Sequence, residues 1–196
     1  MPRNPERDRQ QREERRQQII DAAKQVFTKR GVAATKMSDV AKEAGLSHGN
    51  VYNYFASKEE LLSVLVLQAQ AGYTELLLEM NRQPGHAIDK LRFLVERYLF
   101  VTGAGTTYWV VLQAQAADVL SPSIKGAITS NMMANRQLII QVIEEGQRDG
   151  IIAAGDSIEL ATLFITAFHH LGLWELRGFG KPALSVVEPL LKLLRP

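Results

Sequence analysis

"VAKEAGLSHGNVYNYFASKEEL", residues 40–61, is the stretch that decides the fold. Two short helices that cross steeply need a small residue where they approach, and Ala41 supplies it. The turn between them needs a residue tolerant of positive φ, and Gly45 supplies that. Leu46 and Val51 plug the angle, and Ser47 can cap the second helix. This is the spacing of a helix-turn-helix. Packing claims Val51 and Phe55, one helical step of four apart. His48, Gly49, Asn50, Tyr52, Asn53 and Tyr54 are left outward or at the rim. A helix needed only for packing would not choose such residues.

Outward from this stretch the chain reads as all-α. Apolar residues recur at three and four rather than two, and Ala, Leu, Gln, Glu and Arg dominate. About nine helices are expected. The first runs over 10–30, with Ile19, Ala22, Ala23, Val26 and Phe27 on one face and Gly31 as its stop. Ser38 is placed to cap a second helix ending near Ala44, and the third ends near Phe55. Ser57 with Glu60 has the capping-box pattern and opens a long fourth helix to about Met80. A fifth spans Ala87 to Thr102, where the "GAG" at 103–105 ends it, and a sixth spans Thr106 to Val119. Pro122 starts a seventh that runs to Arg148. Asp156 with Glu159 opens an eighth, to Arg177, and a ninth takes the last dozen residues. The expected division is an amino-terminal helix-turn-helix domain, 1–57, and a larger helical domain, 58–196.

Charge agrees with an anionic partner for the first part. Residues 1–60 carry 12 Lys/Arg against 9 Asp/Glu, and the remainder 11 against 12. The second helix of a helix-turn-helix can enter a DNA major groove. Asn50 and Asn53 suit base edges, Gly49 lets backbone come close, and the Tyr hydroxyls and Lys58 suit phosphate oxygens. The amino ends of the second and third helices, near Thr35 and Ser47, add amide donors. A helix-turn-helix can also be a plain structural corner, but the polar-aromatic face favours DNA. The arm from Arg3 to Arg16 also holds Glu6, Asp8, Glu13 and Glu14, and reads as a solvated helix rather than a dedicated DNA arm.

The stretch "RRQQIIDAAKQVFTKRGVAATKMSDVAKEAGLSHGNVYNYFASKEELL" resembles the amino-terminal region of the tetracycline-repressor (TetR) family. The match runs through Ile20, Ala22, Ala23, Phe27, Gly31, Thr35, Val40, Ala41, Ala44, Gly45, Gly49, Tyr52, Tyr54, Phe55, Lys58 and Leu61, with the YxYFxxKExL ending at the family's spacing. The resemblance implies a homodimer that binds a near-palindromic double-stranded DNA operator, and a carboxy-terminal domain that dimerises and binds a small molecule. It implies Thr35, Ser47, His48, Gly49, Asn50, Tyr52, Asn53, Tyr54 and Lys58 as the DNA-contacting set. His48 and Asn53 occupy positions the family varies, so an operator sequence does not carry over.

The segment "SIELATLFITAFHHLGLWELR" is apolar nearly all round, so the eighth helix must be covered on more than one side. A two-fold interface from the eighth and ninth helices is expected, with Phe164, Leu171, Trp174, Leu190 and Leu194 in it. Burial inside one subunit is the competing reading. A small-molecule effector is expected among apolar walls with a few polar anchors, at Phe93, Trp109, Gln113, Met132, Phe168 and His169. Arg97 and Arg136 are the nearest charges, so a mostly apolar effector is expected.

The remaining signals exclude more than they add. With no cysteine, disulfides, thiolate metal sites and cysteine nucleophiles are absent. His169 and His170 are adjacent and so diverge on a helix, which argues against a metal. "GAGTTY" lacks the third glycine and a preceding strand, so no cofactor is expected. No enzyme motif is recognisable. No signal segment and no membrane-length apolar run stand out, and a cytoplasmic protein with no membrane partner is expected. A helix-turn-helix protein without an effector, or a helical enzyme using scattered residues, are the alternatives.

Overall fold

The computed structural model describes residues 5–101 and 104–196. Among them the chain forms nine α-helices and no strand: α1 Pro5–Arg30, α2 Met37–Glu43, α3 His48–Tyr52, α4 Lys58–Arg82, α5 Ala87–Glu96, α6 Ala104–Ala116, α7 Pro122–Arg148, α8 Ser157–Gly172 and α9 Val187–Lys192. The chain divides into two compact units. One is the chain up to Leu67 together with Val110–Lys125, and the other is Gln68–Trp109 with Gly126–Pro196. The cuts therefore fall within α4, α6 and α7.

In the first unit α1 packs on α2, and α2 on α3. Ile19, Ala23, Phe27, Val40, Val51 and Phe55 are fully enclosed. Gly45 has φ +65°, as the turn requires. Ser47 Oγ accepts the Asn50 amide at 3.2 Å and starts α3. Ser57 Oγ accepts the Glu60 amide at 3.1 Å, while the Glu60 carboxylate takes the Ala56 amide at 2.7 Å, one residue earlier than the usual reciprocal bond. Ser38 is not a cap. Helix α2 begins one residue before it, and the Asp39 carboxylate accepts the Lys36 amide at 3.0 Å. That bond, with the Arg30 guanidinium, holds the Asp39 carboxyl below its ordinary range.

The second unit is built on a continuous apolar cluster, including Leu77, Met80, Leu91, Leu94, Ile139, Ile143, Phe164, Phe168, Leu190 and Leu191. Here α9 packs on α5 and α8. Gln70 and Asn135 are buried polar exceptions. Gln70 Nε2 donates to the Ile128 carbonyl at 2.9 Å, and Thr74 Oγ1 donates to Asn135 Oδ1 at 2.9 Å, which joins α4 to α7. Helix α5 passes into a π-helical turn, Arg97–Val101; the expected ending at Thr102 and Gly103 lies outside the described residues. Helix α8 stops at Gly172, five residues short of expectation, and Glu175–Arg177 forms a 3-10 turn. The expectation of no membrane-length run needs correction. α4 is 25 residues long with a hydropathy of 1.4 over its most apolar window, long and apolar enough to cross a membrane by composition alone. In this fold its Leu61, Leu62, Leu65, Val66, Leu77 and Met80 are buried against protein.

Candidate nucleic-acid interface

Helix α3 is only five residues long, so its pose depends on what holds it. Val51 and Phe55 are fully buried, and the backbone of Phe55 returns to the Val51 carbonyl at 3.1 Å. With those side chains inward, Ser47, His48, Gly49, Tyr52 and Asn53 are exposed, and Asn50 and Tyr54 lie half-buried at the rim. The His48 and Tyr52 rings meet edge to face at 4.9 Å, one turn apart, which stiffens the outer face. Ser47 uses its oxygen for the cap but keeps its hydroxyl proton to donate.

Two expected DNA contacts turn inward. Thr35 is 1% exposed, and its hydroxyl donates to the Gly31 carbonyl at 2.7 Å. Lys58 Nζ donates to the carbonyls of Val32, Ala33 and Thr35 at 3.0, 3.2 and 3.0 Å. An ammonium has three protons, and all three are used in stapling the α1–α2 loop. Two cations not singled out beforehand lie beside the end of α3. Arg12 on α1 donates to the Asn53 carbonyl at 3.4 Å and lies over the Tyr54 ring at 5.2 Å. Arg16, one turn on, lies over the Phe55 ring at 4.7 Å. Their four-residue spacing was the available signal, masked by the interleaved acids.

The family profile described as "Bacterial regulatory proteins, tetR family" matches residues 19–65, from the second half of α1 into the first turns of α4. Over that stretch the chain is similar to the TetR family. It is 24% identical over 179 residues to the fatty acid metabolism regulator protein of Bacillus subtilis, covering 90% of this chain and 92% of the relative. It is 26% identical over 139 residues to the transcriptional regulator UidR of Escherichia coli, covering 70% and 69%. Among solved structures, the TetR-family regulator PfmR from Thermus thermophilus superposes with a TM-score of 0.75 at 22% identity, covering 89% and 95%. The fatty acid degradation regulator FadR from Bacillus halodurans gives 0.72 at 21%, covering 98% and 96%. These likenesses extend the all-α fold of those structures over most of the chain.

The expected effector residues scatter. Phe168 and His169 belong to an aromatic cluster in the second unit. The His169 ring lies 4.5 Å from Tyr108, 5.0 Å from Tyr98 and 5.4 Å from Tyr73, and its Nε2 is 3.2 Å from the Tyr73 hydroxyl. Burial, with the neighbouring His170 acting the same way, pushes the His169 imidazole down from 6.5 to about 3. Burial raises the Tyr73, Tyr98 and Tyr108 phenols above their ordinary value. The cluster is therefore uncharged at neutral pH. Phe93 packs against the same core, under the Arg97 guanidinium at 6.0 Å. Trp109 and Met132 are each 39% exposed and are not enclosed walls. Gln113 belongs to the first unit and bonds the α1–α2 loop, so it does not anchor an effector here.

The expected dimer residues also divide. Phe164, Leu190 and Leu194 are buried within the subunit core and cannot form an outer face. Leu171 is half-buried against that core, and Trp174 is exposed. The outward stripe of α8 is instead Ile158, Thr162, Leu163, Thr166 and His170, reaching Trp174 at the next turn. On α9 the outward positions include Leu193, 71% exposed. The stripe was hidden in the sequence because α8 is apolar on both sides.

Proposed function

We propose that the chain is a ligand-responsive DNA-binding transcriptional regulator. It acts as a repressor that binds a palindromic double-stranded operator as a homodimer and is released by a small, mostly apolar effector. The observation that carries this is the outer face of α3, where His48, Gly49, Tyr52 and Asn53 are exposed over a fully buried Val51 and Phe55. Ser47, Asn50 and Tyr54 flank that face, and Arg12 and Arg16 supply the cations. Residues 1–57 serve as the reading head and 58–196 as the effector and dimerisation part. The protein works in the cytoplasm and is not an enzyme.

The uncharged cluster of Tyr73, Tyr98, Tyr108, Phe168 and His169 supports an apolar effector with a hydrogen-bonding group. A relative named as a fatty acid metabolism regulator supports the same class. The α8 stripe, with Leu163 69% exposed, supports a two-fold interface. Heads one helical turn apart, ~34 Å, read successive major grooves, and an effector that changes their separation lowers operator affinity. Effector and operator are then reciprocally coupled.

Footprinting on the DNA flanking the protein's own gene, repeated across a small-molecule panel, tests this. A protected palindrome that one compound releases is the expected result. Protection that no compound relieves would favour a helix-turn-helix protein without an effector. Binding that follows salt strongly and sequence weakly would make it architectural.

A further inference from the structure

We propose that Gln113 is a positioning residue that ties α6 to the loop between α1 and α2, so that the state of α6 sets the pose of the reading head. The inference rests on the DNA-binding reading above. Gln113 Oε1 accepts the Val32 amide at 3.1 Å, and Nε2 donates to the Phe27 carbonyl at 3.5 Å. One carboxamide thus joins the last turn of α1 to the start of the loop. It lies tight against the chain: a Cβ on Gly31 would meet Oε1 at 3.2 Å. The far side of the same residue is also held, because the Val32 carbonyl accepts from Lys58. Val32 is therefore gripped by α6 through its amide and by α4 through its carbonyl.

Packing alone does not call for glutamine there. Val110, Val111 and Ala114 on the same helix are buried and apolar. A hydrogen bond to a backbone amide, unlike an apolar contact, is lost over a small displacement. Sliding α6 by one residue, ~1.5 Å, would break it. A second tie backs it up: the Ser121 amide, just before α7, donates to the Glu59 carboxylate in the first turn of α4 at 3.2 Å. α6 is continuous from Ala104, and its turns up to Trp109 belong to the second unit while Gln113 belongs to the first. A change imposed on the early turns of α6 is thus delivered at Val32, at the entry to α2 and α3.

Reciprocity allows a test with DNA alone, without a known effector. Amide hydrogen exchange is measured on the full chain with and without a duplex taken from the footprint. In the wild type, DNA slows exchange in 45–56 and changes it in 104–116. In Gln113→Leu the 45–56 protection persists while the 104–116 response is lost, at least halved. Gln113→Glu, which keeps the acceptor for Val32, retains most of it. Gln113→Met replaces Gln113→Leu should the latter melt below the assay temperature. A 104–116 response equal to wild type in Gln113→Leu or Gln113→Met, or none in the wild type despite protection at 45–56, overturns the inference. Protection at neither segment withdraws the DNA-binding reading itself, and this inference with it.

Discussion

The Arg12 guanidinium lies over the face of Tyr54, 5.2 Å from its centroid, and reaches the Asn53 carbonyl at 3.4 Å. An exposed cation is thereby fixed at the end of α3 rather than left on a solvated arm. Arg12→Ala should weaken binding to all duplexes by a similar factor and reduce the salt slope by about one. Titrations at three or more salt concentrations check this. An unchanged slope would remove Arg12 from the phosphate contacts.

Lys58 should behave differently. Its ammonium serves three carbonyls of the α1–α2 loop. Lys58→Met should leave the salt slope unchanged but destabilise the fold by about 1–2 kcal/mol, since bonds to charged donors are worth about 1.5–3 and this side chain is partly exposed. Urea unfolding measures the loss. A stable variant with a smaller slope would restore Lys58 to the phosphate contacts.

Asn53 is exposed just past α3; among the described residues its side chain makes no hydrogen bond, while its carbonyl is taken by Arg12. Asn53→Ala should therefore leave stability within about 0.5 kcal/mol, as for most surface changes. It should alter base preference at particular operator positions, with each changed pair worth about 1–3 kcal/mol. Selection from a randomised duplex pool, read for wild type and variant, decides it. Identical preferences would mean that Asn53 does not read bases.

The helix-turn-helix was legible because short-range rules govern it. Ser47 caps, Gly45 turns, and Val51 and Phe55 face inward, each within a few residues of its partner. Thr35 bonds Gly31 only four residues back, a local bond that the polar pattern does not distinguish from an outward hydroxyl, whereas the inward bonds of Lys58 were not legible because its partners, the loop carbonyls, lie on another element 23–26 residues away. Gln113 misled for the same reason: its partners are 81 and 86 residues away. α8 showed that it must be covered on two sides but not which, since Phe164 and Leu163 are adjacent and both apolar. Only its place in the apolar cluster with Leu91, Ile139 and Leu190 assigns Phe164 inward.

That assignment yields a prediction. Leu163 is 69% exposed and Phe164 is 2% exposed. Leu163→Glu should convert a dimer to a monomer in light scattering while the isolated chain keeps its helical circular dichroism. Phe164→Ala should instead lower stability by about 3–5 kcal/mol through loss of buried volume. A Leu163→Glu variant that remains dimeric at micromolar concentration would place the interface elsewhere.

His169 supplies the pH dependence. Its ring is enclosed by Tyr73, Tyr98, Tyr108 and Phe168, with His170 adjacent in sequence. Burial lowers its pKa to about 3 from 6.5, so the unfolded chain binds a proton that the folded chain refuses. Its contribution is therefore complete above pH 6.5 and is lost as pH falls from there towards 3. At pH 5 the loss amounts to about 1–2 kcal/mol, since each unit between the unfolded pKa and the working pH is worth about 1.4. Asp39, whose carboxyl is held low, loses stability in the same direction but at lower pH, below the ordinary carboxylate range. Comparing wild type with His169→Gln between pH 7.5 and 5 separates the two, because only the histidine differs. Wild type should lose the larger amount of unfolding free energy over that interval. Equal losses would mean that His169 takes up its proton in the folded cluster, and the tyrosine rings would then be able to accommodate a charged group.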